Sequence, residues 1–280
     1  MRSNKHREET EFSGNQRISQ AFRAAKIRSS AALMPYFTLG YPNRGASLDI
    51  IEAIAPYSDL LELGVPFSDP IADGPTIQRS TQIALQNGTT VAKCLEMVHI
   101  LRQQRGIKTP FLLMGYYNPI IAYGEERFIR DAADVGVDGM IVPDLPIEES
   151  AILAESAENA RMSLIYFLAP TSNIQRINQV IGRASGFIYM VSVTGVTGAR
   201  SKVSDATSAF VASVQARSAI PVAVGFGIST PEQAADVGRY ADGIIFGSAL
   251  IDVVERADDK PEAAATFVRS MGQGLEAAGS

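Results

Sequence analysis

The stretch IPVAVGFGISTPEQAADVGRYADGIIFGS, residues 220–248, contains two short apolar runs separated by an amphipathic segment. The runs 220–227 and 242–248 have the length of buried strands, and segment 230–239 has helical spacing after a Thr-Pro start. A strand, a helix and a second strand in this order form a parallel unit in which both faces of the sheet are covered. The stretch therefore predicts an α/β fold.

The same alternation runs through the rest of the chain. Six further apolar runs read as buried strands, at 33–40, 60–65, 110–115, 139–144, 163–169 and 186–193. Further helical patterns lie between them, such as those at 47–57, 91–104, 125–134, 148–160 and 204–217. Eight strands alternating with helices over 280 residues predict a closed (β/α)8 barrel, the TIM barrel. An open doubly wound sheet is the alternative, but no G-x-G-x-x-G motif follows the first strand.

Residues 17–280 are predicted to form this single barrel domain. Segment 17–27 is an extra helical pattern that we expect to cover the bottom of the barrel. Residues 1–16 carry charges of both signs and few apolar side chains, which is typical of a flexible, solvated tail. The composition, 46% hydrophobic, provides enough apolar residues for a large core.

Composition also disfavours several classes of protein. The net charge of −5, without a basic patch, is unlike a nucleic-acid-binding surface. No run approaches the roughly 18 apolar residues of a membrane helix, so no membrane segment is expected. Cys94 is the single cysteine, which rules out an internal disulfide and fits a reducing cytoplasm. Its helical context predicts a core thiol rather than a nucleophile.

The sequence disfavours Schiff-base catalysis and metal-dependent catalysis, because the residues that each needs are not in suitable positions. A Schiff-base aldolase requires a buried lysine, whereas the lysines beyond the predicted tail fall in predicted helices or loops: Lys26, Lys93, Lys108, Lys202 and Lys260. A metal site would favour histidines, but His6 lies in the tail and His99 on a helical pattern. We therefore expect metal-free and cofactor-free acid–base chemistry by carboxylates.

The stretch LELGVPFSDPIADGPTIQ, residues 61–78, contains the candidate carboxylates. Glu62 lies within a strand run, where an unpaired carboxylate is costly and is either paired with a cation or used. Asp69 and Asp73 follow in a turn-rich loop and either cap their own turns or take part in chemistry. This loop belongs at the C-terminal end of a barrel strand, where barrel active sites lie.

Glycine-rich loops follow three later strands, at 194–200, 225–230 and 246–252. Small residues there allow backbone N–H groups to approach an anion, and barrels often hold phosphate after the seventh and eighth strands. Each loop taken singly is equally explained by turn formation. The three together indicate a phosphorylated substrate.

Five stretches together resemble the tryptophan synthase alpha chain family, from about Ile18 to the C-terminus. They are LELGVPFSDPIADGPTIQ, YYNPI (116–120), VPDLPIEES (142–150), VSVTGVTGAR (191–200) and VGFGISTPEQ (224–233). The resemblance implies a (β/α)8 lyase of tryptophan biosynthesis that cleaves indole-3-glycerol phosphate into indole and glyceraldehyde 3-phosphate. It also implies a beta-chain partner in an alpha2beta2 complex, with pyridoxal phosphate only in that partner, in the cytoplasm or a plastid stroma.

The resemblance also assigns roles to residues. Glu62 and Asp73 match the catalytic carboxylates, and Tyr189 matches a tyrosine that orients the glutamate and substrate. The matched phosphate cup consists of Gly198, Gly227, Gly247 and Ser248. The matched wall around the indole ring consists of Phe37, Leu113 and Tyr116. Asp69 is expected at the partner interface, and Phe187 stands where some members have tyrosine.

Two expectations about the site and two alternatives follow. Apolar neighbours are expected to raise the pKa of Glu62, so that it donates a proton, while Asp73 stays ionised in its polar turn. A stand-alone lyase that releases free indole is the nearest alternative. A non-catalytic, phosphate-binding subunit is a third, which the presence of both Glu62 and Asp73 disfavours.

Overall fold

The chain folds into a closed barrel of eight parallel strands, seen in a computed structural model that describes residues 12–191, 200–225 and 227–279. The strands follow one another around the barrel in chain order, and the last pairs with the first. They are β1 Ala32–Thr38, β2 Leu61–Gly64, β3 Phe111–Met114, β4 Gly139–Ile141, β5 Ser163–Leu168, β6 Ile188–Val191, β7 Val222–Gly225 and β8 Gly243–Phe246. The predicted (β/α)8 barrel is confirmed, and the open sheet is excluded.

Helices surround the barrel and connect its strands. They are α1 Gly14–Ile27, α2 Arg44–Ile54, α3 Pro75–Gln86, α4 Val91–His99, α5 Tyr117–Tyr123, α6 Glu125–Val135, α7 Ala151–Asn159, α8 Ile174–Arg183, α9 Arg200–Gln215, α10 Pro231–Gly238, α11 Ser248–Arg256 and α12 Lys260–Gly279. A 3₁₀ turn, Ala55–Tyr57, extends α2, and a π-helical turn, Ile100–Gln104, extends α4. Every helical pattern predicted from the sequence is a helix.

Helix α1 closes the bottom of the barrel, as the sequence predicts. It begins at Gly14, so residues 14–16 of the predicted tail are helical, and residues 1–11 of that tail lie outside the described residues. Ile18, Phe22 and Ala25 are buried on its inner face. The Phe22 ring lies 5.5 Å from the ring of Phe187, the residue before β6. Because these apolar side chains fill the lower end, the open end lies at the opposite, C-terminal edge of the strands.

Side chains alternate between the barrel interior and the helix layer, as the pleat of a strand requires. The interior cluster contains Met34, Leu60, Leu112, Ile141, Ile165, Phe187, Tyr189, Ala223 and Ile245. On β1 the even-numbered residues share the face of Met34, and odd-numbered residues such as Phe37 face the helices. This alternation decides which of two neighbouring residues reaches a substrate.

None of the helices in the described ranges combines the length and apolar character that a membrane crossing requires.

Candidate active site

Glu62 lies on the inward face of β2 and is 1% exposed. Its Oε2 atom is the one buried side-chain polar atom without a hydrogen-bond partner in the described part of the chain. Burial raises the pKa of Glu62 to about 8, and the negative charge of Asp73 acts in the same direction. The carboxyl is therefore mostly protonated at neutral pH, in agreement with the expected acid.

Asp73 lies in the loop between β2 and α3, where Tyr116 holds it. The Tyr116 hydroxyl accepts the Ala72 N–H at 2.9 Å and also hydrogen-bonds the Asp73 carboxylate. Burial raises the pKa of Asp73 to about 6, although the Tyr116 bond lowers it. Asp73 is thus mostly ionised at neutral pH, as expected, but its pKa exceeds that of an ordinary turn residue because the side chain is largely shielded from water.

Tyr189 lies inside the barrel near these two carboxyls. Its ring packs 4.8 Å from that of Phe167, and its hydroxyl lies against Gly225, where an added Cβ would come within 2.3 Å of the oxygen. Burial raises the pKa of Tyr189 well above its ordinary value, and the charges of Glu62 and Asp73 reinforce the shift. The structure thus brings a neutral phenol and both carboxyls together.

Two predicted wall residues, Phe37 and Leu113, face away from the barrel interior. Phe37 and Leu113 both pair with Leu63, and this row packs in the outer core against the helices. The Phe37 ring lies 6.1 Å from that of Tyr41. The prediction is wrong for both residues because a shift of one position along a strand moves a side chain to the opposite face.

Their inward neighbours occupy the interior instead. Tyr36 pairs in register with Glu62, and Glu62 pairs with the interior residue Leu112. Met114, one residue after Leu113, packs against the interior cluster. Tyr36 was not predicted from the sequence, although strand alternation between Met34 and Thr38 contained the signal.

The proposed phosphate cup lies where the loops after β7 and β8 meet, since Gly225 pairs with Ile245 on the next strand. Gly247 is the N-cap of α11 and Ser248 its first residue, with no capping side chain for the free N–H groups. Gly227 has a φ of +72°, which favours glycine. Gly198 lies outside the described residues.

The structure also describes Asp69, Cys94 and His99, which were singled out in the sequence. Asp69 is exposed, and its carboxylate accepts the Ser68 hydroxyl at 2.5 Å. Cys94 is buried in α4, where burial raises its pKa, which is consistent with a core thiol. His99 is exposed at the end of α4, whereas His6 lies outside the described residues. In the described ranges, no group of three His, Cys, Asp or Glu side chains has the arrangement of a metal site.

The open end of this barrel combines a protonated buried carboxyl, an ionised carboxyl and a helix N-terminus beside a glycine. Proton donation and charge stabilisation at one end, with anion binding at the other, are the requirements of acid–base cleavage of a phosphorylated compound. The fold and site therefore define a class, the (β/α)8-barrel enzymes that act on phosphorylated substrates by acid–base chemistry.

Comparison with known proteins identifies the member of this class. A family model described as tryptophan synthase alpha chain matches residues 22–279. The tryptophan synthase alpha chain of Chloroflexus aggregans is 48% identical over 260 residues, covering 91% of this chain and 96% of the relative. That of Chloroflexus aurantiacus is 47% identical over 258 residues, with coverages of 91% and 97%.

Solved structures agree. Tryptophan synthase subunit alpha from Legionella pneumophila superposes with a TM-score of 0.86 at 35% identity, covering 93% of this chain and 98% of that one. A ligand-free crystal structure of tryptophan synthase from M. tuberculosis gives 0.84 at 33% identity, with coverages of 93% and 99%. The chain belongs to the tryptophan synthase alpha chain family, whose activity is the lyase cleavage of indole-3-glycerol phosphate.

Proposed function

We propose that Glu62 and Asp73 together carry out the retro-aldol cleavage of indole-3-glycerol phosphate in this chain. The observation that supports this most directly is the unpaired Oε2 of Glu62, buried inside the barrel on a carboxyl with a pKa of about 8. A buried polar atom without a partner is costly to keep unless a ligand or a reaction uses it.

Glu62 transfers two protons in turn. Its carboxyl first protonates indole C3, which places positive charge on the ring nitrogen. The carboxylate so formed then removes the proton from the neighbouring chain hydroxyl. The carbon–carbon bond breaks as the aldehyde forms, and its electron pair restores the indole ring. Glu62 thus regains the proton that it donated, and no other reagent is consumed.

Asp73 stabilises the charge that develops in this sequence. As a carboxylate held by Tyr116, it accepts a hydrogen bond from the indole N–H and offsets the positive charge on the protonated ring. The neutral Tyr189 hydroxyl orients Glu62 and the reacting hydroxyl. Tyr116 serves as part of the indole wall. These roles place the indole ring beside the loop that precedes α3.

The phosphate group binds at the opposite side of the mouth. Gly227, Gly247 and Ser248 line the cup, with Gly198 as a fourth member. The first-turn N–H groups of α11 point to the anion, and the helix dipole favours its negative charge.

Indole release from purified chain tests the proposed carboxylate roles. We expect wild-type chain to form indole and glyceraldehyde 3-phosphate in equal amounts, and Glu62→Gln to form almost none while still binding glyceraldehyde 3-phosphate. A Cys94→Ser control, altered on a helix away from the mouth, should keep the wild-type rate when folded. Turnover by Glu62→Gln within about tenfold of wild type would exclude Glu62 as the acid, given the ~10²–10⁴ that such groups contribute.

We further propose that the chain passes indole to a beta-chain partner that holds pyridoxal phosphate, in an alpha2beta2 complex in the cytoplasm. This chain itself is expected to need no cofactor. The loop from Pro66 to Pro75 supports docking at the mouth, because it exposes Asp69 and leaves Ile71 83% exposed. An exposed apolar side chain beside a polar one is suited to a partner interface.

Association measured by sedimentation tests this partnership. Ile71→Ser should weaken association with a beta chain, whereas Ile27→Ser is the matched control, since Ile27 is 85% exposed at the other end of the barrel. Indole formation should rise by one or more orders of magnitude when the beta chain is added. Full activity alone, with no association, would instead establish a stand-alone lyase.

A further inference from the structure

The Tyr36 side chain lies between the carboxyls and the proposed phosphate cup. Its hydroxyl lies against Gly64, where an added Cβ would come within 2.0 Å of the oxygen. Gly64 follows Glu62 by two residues on the same face of β2. The Tyr36 ring lies against Gly247, where an added Cβ would come within 2.8 Å of ring Cδ1. A ligand that spans from Glu62 to the cup must therefore pass this side chain.

A chain of hydroxyl groups fixes the direction of the Tyr36 hydrogen. The Ser80 hydroxyl donates to the Ile77 carbonyl oxygen at 2.8 Å, so its one hydrogen is used. Thr38 lies 2.7 Å from Ser80 and must therefore donate to it. Tyr36 lies 3.3 Å from the Thr38 oxygen and, by the same reasoning, donates to Thr38.

This direction leaves the Tyr36 oxygen as an acceptor toward the barrel interior. A hydroxyl has one hydrogen and two lone pairs, and the hydrogen of Tyr36 is committed to Thr38. Burial raises the pKa of Tyr36 above its ordinary range, with the charges of Asp73 and Glu62 contributing, so the group stays a neutral phenol. A lone pair on a buried oxygen gains from a hydroxyl donor.

We propose that Tyr36 is a substrate-binding residue whose hydroxyl oxygen accepts a hydrogen bond from a hydroxyl group of the phosphorylated glycerol chain. The inference rests on the proposed function, because it places the phosphate at Gly247 and the reacting carbon at Glu62. Tyr36 then holds the stretch of substrate between these two points, which aligns the reacting hydroxyl with the Glu62 carboxyl. The expected specificity is for phosphate esters that carry hydroxyl groups on the chain.

Calorimetric binding to the full chain tests this inference without requiring turnover. The two ligands are glycerol 3-phosphate, which has chain hydroxyls, and indole-3-propyl phosphate, which has none. Tyr36→Phe should weaken the binding of glycerol 3-phosphate by about 3- to 10-fold, the effect of one neutral hydrogen bond. The binding of indole-3-propyl phosphate should be unchanged. Tyr166→Phe is the matched control, since it removes a buried hydroxyl bonded to Ser150 at 2.9 Å in the outer layer.

A second variant tests the hydroxyl chain. Ser80→Ala removes the acceptor that orients the Thr38 hydroxyl. It should weaken the binding of glycerol 3-phosphate by a smaller factor and leave the binding of indole-3-propyl phosphate unchanged. Equal effects on both ligands, or no effect of either variant, would overturn the inference. If the wild-type chain binds neither ligand, the phosphate cup is refuted. If the wild-type chain cleaves its substrate normally but Tyr36→Phe affects both ligands equally, only the role of Tyr36 is refuted.

The pH profile of cleavage distinguishes substrate binding from an action on Glu62. Asp73, Tyr36 and Tyr189 are the titratable groups whose electrostatic interactions couple with Glu62 in the described part of the site. We expect Tyr36→Phe to raise KM and leave the pH limits of kcat in place. A shifted pH profile of kcat with unchanged ligand binding would show that the Tyr36 hydroxyl acts on Glu62, which would overturn the inference.

Discussion

Asp138 and Glu62 both carry buried carboxyl groups, but Asp138 lies at the bottom of the barrel before β4, and Glu62 lies on β2 among the proposed catalytic groups. Asp138 contacts Arg17, receives Arg102 at 2.8 Å and accepts the Phe111 N–H at 2.7 Å. The Oε2 atom of Glu62 has no hydrogen-bond partner among the residues that the structure describes. Burial alone therefore does not single out a candidate catalytic carboxyl, whereas burial of an oxygen without a hydrogen-bond partner does.

The partners of Asp138 also explain the architecture at the bottom. Arg17 comes from α1 and Arg102 from the π-helical turn after α4, so one carboxylate joins two helices to β4. Arg102 also stacks 4.0 Å above the Phe111 ring and donates to the Gly136 carbonyl oxygen at 3.1 Å. Both oxygens of the Asp138 carboxylate are therefore paired.

The largest expected effect is the loss of kcat when the Glu62 carboxyl is replaced by an amide. Glu62→Gln should lower kcat by about 10²–10⁴, because an amide cannot transfer the proton. Stability at neutral pH should not fall, since the native carboxyl is already neutral. Indole formation and urea unfolding measure the two quantities, and a stable variant with near wild-type kcat would contradict the comparison.

Asp138→Asn should have the reverse profile. Removing one partner of a buried ionic cluster should lower the free energy of unfolding by about 3–5 kcal/mol, because two arginines lose their counter-charge. The kcat of the molecules that remain folded should be unchanged. Urea unfolding and an active-site-normalised assay check this, and a loss of kcat without a loss of stability would show that Asp138 acts at the site.

The protonated state of Glu62 should also make the stability of the folded chain depend on pH. The folded pKa of Glu62, about 8, exceeds its ordinary value of 4.5, so between these values the folded chain holds a proton that the unfolded chain releases. The free energy of unfolding should therefore fall as pH rises from about 5 to 8, by up to about 1.4 kcal/mol per pH unit. Asp73 adds the same sign below its pKa of about 6.

Urea unfolding of wild type and Glu62→Gln between pH 6 and 9 measures the Glu62 contribution. The variant should lose most of this slope above pH 6.5. Identical slopes in the two proteins would mean that Glu62 is not protonated in the folded chain.

The smallest expected effect concerns the cup. Gly247→Ala should weaken the binding of glyceraldehyde 3-phosphate, because the new Cβ must displace Tyr36. The expected loss is about tenfold, the equivalent of one hydrogen bond to a charged group. Indole binding should change less. Gly272→Ala is the control, since its Cβ would lie at an ordinary 3.5 Å from Leu33. Equal loss of both ligands would indicate general unfolding.

The candidate site was only partly predictable from the sequence. Glu62 was identifiable because a carboxylate within an apolar run is unusual, and Asp73 because of its spacing in the loop that follows. Phe37 and Leu113 were placed on the wrong face, since matching a motif does not determine which of two adjacent strand residues points inward. Register and closure of the barrel decide that.

Local periodicity and residue type are sufficient to predict the barrel, its eight strands, the capping helix α1 and the two candidate carboxyls. The tertiary structure is needed to show that Asp138 is paired with Arg17 and Arg102, while Oε2 of Glu62 has no partner among the described residues. It also decided that Tyr36, Thr38 and Ser80 form one directed chain. Such contacts join residues up to 121 positions apart, and their geometry depends on how the closed barrel brings distant segments together.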